Sequence, residues 1–422
     1  MDLKFLRENK EKAKEMLKRR GENVDVEKIL ELDEKRRALI KKRDELRHQR
    51  REVSQFFNKY KDKLDKEEID KKREEAKELS KKVKEVEEEL SLIEKEMKDL
   101  LLYLPNKIHF SVKDEEIIIK EEGEIPKFDF KPFSHWEIGE ALGLLDLEKS
   151  AKIAGSRFIL FKALGALLER ALINFCLDYH RKYHNYIEIS PPYLNKEECF
   201  LSAGQLPKLK DEMYYIPTDG LYLIPTAEVP LVNLHANEIL KEDELPKYYM
   251  AYTACFRREA GSYGREVRGI IRVHQFDKVE LVKYTLPEDS YFELEKMVEE
   301  VCAILRILKL PYRVKQLSAR DMAFQSAKTY DIDVYACGIG EWLEVSSISN
   351  CEDFQAKRNN TRVRRKNGDL EYCHILNGSG LAFPRLFIAI VENYQQKDGS
   401  ILIPEALRPY LDNLEKIESK SK

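Results

Sequence analysis

The chain has 422 residues, 43% of them hydrophobic and 36% charged, with a formal net charge of −3 at pH 7. That length allows two or three domains with a sizeable core. No apolar run approaches the ~18–20 residues of a membrane span; the longest, around Ile159–Tyr179, is broken by Lys162, Glu169 and Arg170. Met1-Asp2-Leu3-Lys4 begins no apolar signal core, and Cys176, Cys199, Cys255, Cys302, Cys337, Cys351 and Cys373 include no CxxC pair. A cytoplasmic protein with reduced thiols is therefore expected, rather than a disulfide framework or a zinc site.

The average hides two materials. Residues 1–100 hold 31 Lys+Arg and 28 Asp+Glu, with Gly21 the one glycine and no proline before Pro105. Within that segment Met1–Gly21 reads as a short separate helix packed at the base of a longer element. Leu32, Leu39, Leu46, Val53 and Tyr60 then repeat at seven, with companions Arg36, Arg43, Arg50 and Phe57. Ile69, Ala76, Val83, Leu90, Met97 and Leu104 repeat at seven as well, accompanied at three by Leu79, Val86, Ile93 and Leu100, with Lys72 the exception. Two heptad helices flanking the polar stretch Lys61–Lys66 predict an antiparallel coiled-coil hairpin over about 28–104, roughly 50 Å long, ended by Pro105. Residues 28–61 carry 12 basic and 6 acidic groups, while 62–104 carry 11 and 15. Opposite charge on the two arms favours pairing within one chain. The basic surplus at Arg36, Arg43, Arg47, Arg50 and Arg51 reads either as solvated coiled-coil faces or as a track for a phosphate backbone.

After Pro105 strands, turns and amphipathic helices alternate. Helices are predicted at Phe158–Tyr183 and Tyr291–Leu308. Strands are predicted at Tyr186–Ile189, Glu212–Ile216, Gly220–Ile224, Tyr248–Phe256, Gly269–Phe276 and Glu341–Ser346. The strands cluster, which favours a mixed, mainly antiparallel sheet flanked by helices, an α+β globular domain over 106–422. No GxGxxG or GxxxxGK[ST] supports a Rossmann or P-loop site.

Cys255-Phe256-Arg257-Arg258-Glu259-Ala260-Gly261 enters a glycine-rich loop, and the chain returns as Ile270-Ile271-Arg272-Val273-His274-Gln275-Phe276. Strand, glycine-rich loop, strand suits a nucleotide: an arginine fork grips a phosphate and an aromatic ring stacks on a base. A plain hairpin with surface arginines would look the same. Thr226-Ala227-Glu228 after Pro225 reads by itself as a helix cap.

The 255–276 segment resembles motif 2 of class II aminoacyl-tRNA synthetases, in the seryl-tRNA synthetase form. Asn377-Gly378-Ser379-Gly380-Leu381-Ala382-Phe383-Pro384-Arg385, running into Leu386–Tyr394, is similar to motif 3. Phe158–Tyr183 with Pro191-Pro192 is similar to motif 1. Gly204-Gln205-Leu206-Pro207-Lys208, Thr226-Ala227-Glu228 and Glu344-Val345-Ser346-Ser347-Ile348-Ser349-Asn350 before Asp353-Phe354-Gln355 resemble further blocks of that family. The N-terminal hairpin resembles the arm with which the family holds the long variable arm of its tRNA. The blocks span nearly the whole chain, in order.

The resemblance implies activation of L-serine with ATP and Mg²⁺, then transfer to the 3′ end of tRNA-Ser and, by family, tRNA-Sec. It implies a homodimer paired through motif 1. Serine would meet Thr226, Ala227, Glu228, Arg257, Glu280, Asn377 and Ser379. ATP would meet Arg257 at the α-phosphate, Glu259 at the adenine amino group, Phe276 at the ring and Arg385 at the γ-phosphate. Arg258, Arg272, Glu344, Val345, Ser346, Ser347 and loop residues Glu266–Arg268 would stand near the nucleotide. Glu344 and Ser347 would hold Mg²⁺; Arg257, Arg385 and Glu344 carry catalysis. The chain departs from the family at Arg258, at Ser202-Ala203 and at Phe383-Pro384. A paralogue that only binds RNA would be expected to lose charged pocket residues, and a ligase for a carrier protein would lack the arm; here both sets are present.

Overall fold

The structure, a computed structural model, describes residues 1–60, 65–260 and 268–418. The chain divides into two compact units, Met1–Pro105 and Asn106–Lys422.

In the first unit the base is two helices rather than one: α1 (Leu3–Glu8) and α2 (Lys10–Arg20). Asn9 leaves helical geometry at φ −139°, and Asp2 caps α1 by accepting from the Phe5 amide. Gly21, in the left-handed region, ends α2. The two arms follow as α3 (Val26–Tyr60) and α4 (Lys66–Leu102). Of the turn expected at Lys61–Lys66, residues 61–64 lie outside the described residues. Asp65 and Glu68 form a reciprocal capping box that starts α4. Leu39, Val53, Val83, Val86, Leu90 and Met97 are buried along the seam at the predicted heptad positions. Lys28–Glu96 at 2.7 Å, Arg36–Glu94 at 3.2 Å and Arg47–Glu87 at 2.5 Å cross between the arms in antiparallel register. The predicted split of charge thus becomes specific interhelical pairs.

In the second unit eight strands form one sheet. They are β1 (Ile117–Glu122), β2 (Ile187–Glu188), β3 (Lys247–Phe256), β4 (Gln275–Thr285), β5 (Tyr312–Gln316), β6 (Lys328–Ala336), β7 (Glu341–Asn350) and β8 (His374–Ala382). Their spatial order is β1-β5-β6-β7-β8-β4-β3-β2. Every pair is antiparallel except β2 with β3. Helices α5 (Leu164–Tyr183), α6 (Ser290–Ile307) and α7 (Phe383–Asn393) contribute their apolar residues to the large core on one face of the sheet. Period-two alternation sorts β4: Val279 and Leu281 enter that core, while Lys278 and Glu280 face the other way; Phe276, near the start of the strand, lines the cleft and also packs against the edge of the core.

Two predicted elements are corrected. The first helix starts at Leu164, not Phe158. Residues 158–163 lie extended instead: Phe161 bridges Leu145, the Lys162 amide donates to the Leu144 carbonyl, and Ala163 turns at φ 48°. The strand predicted at Gly269–Phe276 begins at Gln275. Upstream, the Ile270 amide donates to His135 Nε2 and the His274 amide to the Arg157 carbonyl, so this backbone is bonded outside the sheet.

Candidate active site

The open face of β4, β7 and β8 floors a cleft of about 710 Å³. Register decides what meets there. Ser379 stands directly opposite Glu280, and Ser349 opposite Asn377. On β3 the small residues Ala251, Thr253 and Cys255 stand opposite Glu280, Lys278 and Phe276, which leaves room above the floor. Gly378 and Gly380 pack on the core side, where a Cβ would come within 2.8 Å of Ile348 and Val279 side chains. The glycines of motif 3 thus let β8 lie flat between its neighbours.

One end of the cleft is buried and acidic. Glu228 and Glu280 are 5% and 2% exposed, and Lys278 is buried with them. Lys278 Nζ pairs with Glu280 and donates to Thr226 Oγ1 at 2.9 Å and Ser379 Oγ at 3.3 Å. Thr226 Oγ1 donates to Glu280 Oε2 at 2.9 Å. Three amides converge on Glu228: Gln355 at 2.7 Å, Gln325 at 3.1 Å and Gln205 at 3.3 Å. Burial, and then the charge of Glu280, push the Glu228 carboxyl up to about 7. With Glu228 ionised, two carboxylates and one ammonium leave a net −1 in a desolvated pocket, a charge that one small cation would neutralise.

The other end is open and rich in arginine. The Arg257 guanidinium lies 5.1 Å over the Phe276 ring, and its Nε donates to the Pro225 carbonyl at 3.3 Å. Arg272 pairs with Glu259 at 3.3 Å. Arg385, on the first turn of α7, donates to the Glu344 carbonyl at 2.7 Å and lies 3.6 Å from its carboxylate. Phe383-Pro384 opens that helix, so the departure from the family pattern falls where proline belongs.

The structure therefore gathers Thr226, Glu228, Arg257, Glu259, Arg272, Phe276, Glu280, Glu344, Ser347, Asn377, Ser379 and Arg385 along one continuous cleft. Ala227, Val345 and Ser346 are buried behind it, and Arg258 is exposed outside it. Glu266 lies outside the described residues, while Arg268 stacks on Trp136. In the first unit Arg36, Arg43 and Arg50 sit half-buried along the seam, and Arg51 is exposed. Sequence reasoning missed Lys278 and the three glutamines. Lys278, Gln205 and Gln355 stand within or beside recognised blocks and Gln325 in none, and nothing in their spacing shows that they meet Glu228 or Glu280.

Two family descriptions match the chain: "Seryl-tRNA synthetase N-terminal domain" over residues 1–108, and "tRNA synthetase class II core domain (G, H, P, S and T)" over 213–394. The serine–tRNA ligase of Thermodesulfovibrio yellowstonii is 50% identical over 97% of this chain and 98% of its own. The chain belongs to the seryl-tRNA synthetase family. It is a class II aminoacyl-tRNA synthetase, and its reaction is the ligation of serine to tRNA. The serine–tRNA ligase of Dehalococcoides mccartyi is 48% identical, covering 97% of this chain and 98% of that one. Among solved seryl-tRNA synthetases, that of Pyrococcus horikoshii complexed with ATP superposes with TM-score 0.92 at 34% identity, covering 100% of both chains. The cytoplasmic enzyme of Naegleria fowleri in complex with AMP gives TM-score 0.88 at 29% identity, covering 100% of this chain and 99% of that one. The whole seryl-tRNA synthetase architecture, arm and catalytic unit, is present.

Proposed function

We propose that serine binds the acidic end of the cleft, ATP the arginine-rich end, and that Arg257 joins the two. The carrying observation is the charge pattern: a buried net −1 at Glu228, Lys278 and Glu280, beside Arg257, Arg272 and Arg385. The serine ammonium neutralises the carboxylate pair. Its hydroxyl meets Thr226, Asn377 and Ser379, and a site built to bond a hydroxyl rejects alanine. Phe276 stacks on adenine and Glu259 reads its amino group. The Pyrococcus horikoshii relative, solved with ATP, supports ATP as the nucleotide.

The serine carboxylate oxygen attacks the α-phosphorus and the bond to the bridging oxygen breaks. Pyrophosphate leaves with the electron pair, and no proton moves because the carboxylate is already ionised. The chain supplies position and charge: Arg257 holds carboxylate and α-phosphate together, and Arg385 balances charge on the departing group. The tRNA 3′-hydroxyl then attacks the adenylate carbonyl, releasing AMP and the hydroxyl proton.

The Glu344 carboxylate and the Ser347 hydroxyl offer hard oxygen donors suited to Mg²⁺. Magnesium takes oxygen ligands and keeps waters, so few protein donors are needed. Bound there, Mg²⁺ would neutralise phosphate charge. The exposed Tyr183, Ile187 and Leu194, on and just beyond α5, support a homodimer paired through this face. The basic first arm supports a grip on the long variable arm of tRNA-Ser.

Arg257→Ala tests the assignment. Serine-dependent ATP–pyrophosphate exchange should fall by at least ~10²-fold; a rate near wild type would contradict it.

A further inference from the structure

His135 and Glu392 form a fully buried pair in the catalytic unit. Glu392 stands near the end of α7, the helix whose first turn carries Arg385. Its carboxylate is saturated by the chain itself. Oε1 accepts from the His135 amide and from His135 Nδ1, each at 2.8 Å. Oε2 accepts from the amides of Gly338 at 2.8 Å and Ile339 at 3.0 Å. A Cβ on Gly338 would come within 2.0 Å of the Phe133 carbonyl oxygen and 2.9 Å of Glu392 Cδ, so this close approach needs glycine. With Nδ1 donating to Glu392, His135 Nε2 is an acceptor, and the Ile270 amide donates to it at 3.3 Å. Gly269, at φ 81°, passes so near that a Cβ would come within 2.1 Å of Nε2. The neighbouring Trp136 ring carries the Arg268 guanidinium at 5.3 Å. His135-Trp136 thus seats residues 268–270.

We propose that His135 is a positioning residue for the nucleotide: it fixes the Ile270 backbone so that Arg272, two residues on, meets the phosphates of ATP. Three observations carry it. First, residues 270–274 lie outside any strand and are mounted at two points. The Ile270 amide bonds His135, and the His274 amide bonds the Arg157 carbonyl at 2.8 Å. Arg272 stands between the two mounts and lines the cleft beside Glu259. Ile270 and Val273 also pack into the core, so loss of one mount shifts Arg272 without unfolding the segment. Second, a buried imidazole–carboxylate pair carries a desolvation penalty that apolar side chains of the same volume would avoid. What it supplies here is a hydrogen-bond acceptor at a fixed point. Third, the chain of contacts Glu392–His135–Ile270 refers Arg272 to the same helix that carries Arg385, so the two arginines keep one spacing. The inference rests on the ATP placement proposed above.

The test is serine-dependent ATP–pyrophosphate exchange by the full-length enzyme. In His135→Asn the amide nitrogen stands as far along the side chain as Nδ1 and still serves Glu392, but nothing reaches Ile270. In His135→Gln the amide oxygen stands as far along as Nε2 and accepts from Ile270. Gly269→Ala breaks the same contact from the other partner. The KM for ATP is expected to rise about tenfold in His135→Asn and in Gly269→Ala, with the KM for serine close to wild type. His135→Gln should recover most of the loss. Because His135 acts through Arg272, His135→Asn combined with Arg272→Gln should be no worse than Arg272→Gln alone. An unchanged KM for ATP in both His135→Asn and Gly269→Ala would overturn the proposal. So would effects that add in the double variant, or a KM for serine that rises in step with that for ATP, either of which would make His135 part of the scaffold only. An unchanged KM for ATP in Arg272→Gln itself would instead contradict the ATP placement.

Discussion

Glu228 shows how one buried side chain can set a measurable property. Its carboxyl is pushed up to about 7 by burial and by Glu280, against three amide donors that favour the ionised form. An incoming ammonium favours the carboxylate and lowers that pKa, so serine binding releases a proton. The KM for serine is therefore expected to rise as pH falls through 7, by up to about tenfold per unit. Glu228→Gln should raise KM and flatten this dependence, read from exchange between pH 6 and 8. A wild-type KM independent of pH over that range would contradict the shift. Lys278 belongs to the same argument. It stands in Asp277-Lys278-Val279-Glu280, in plain view in the sequence, yet a lysine facing a cationic substrate has no motif to announce it. Alternation along β4 puts it on the face of Glu280, the register of β4 against β8 brings that face to Ser379, and Thr226 reaches it from a separate part of the chain.

At the scale of elements, α5 and α6 are tied to the sheet by buried charge. Lys283 on β4 is fully buried, 2.9 Å from Glu293 and 3.1 Å from Glu300, both on α6. Removing one partner leaves an uncompensated charge, so Lys283→Ala should cost about 3–5 kcal/mol in chemical denaturation; a cost near zero would contradict the buried pairing. Glu169 on α5 faces Asp277 on β4, and burial followed by the Asp277 charge pushes its carboxyl from 4.5 up to about 8. A carboxyl raised in the folded state contributes stability that is complete below the unfolded value and is lost as pH rises through 8. Glu169→Gln should therefore gain in Tm relative to wild type between pH 6 and 9, and an unchanged difference would refute the raised Glu169 carboxyl. The elements themselves were legible where the pattern is strong. Heptads gave α3 and α4 to within a few residues, and the strand signal at Tyr248–Phe256 gave β3. Phe158–Phe161 and Ile270–Val273 misled because they are apolar segments whose backbone bonds go to Leu144, His135 and Arg157 rather than to a helix or strand of their own. Composition grouped Arg36 with Arg51 in one basic surplus, readable as solvated faces or as a phosphate track. Heptad position separates them: Arg36 is spent on Glu94 and Asp33, while Arg51 faces solvent.

At the scale of the molecule, a charged arm without internal proline or glycine breakers joins a serine-activating unit near Pro105. Each unit has its own core, one around Leu6, Leu17, Ile29 and Leu104, the other across the great sheet. Deleting residues 28–104 should leave serine-dependent exchange near the full-length rate and cripple charging of tRNA-Ser; unchanged charging would remove the arm from recognition. The central claim is that the cleft activates serine by reading its ammonium and hydroxyl together. The most direct measurement is ATP–pyrophosphate exchange by the full-length enzyme with serine and with alanine. Exchange with serine and a value at least ~10⁴-fold lower with alanine is the expected result. Comparable exchange with both, or none with serine, would contradict it.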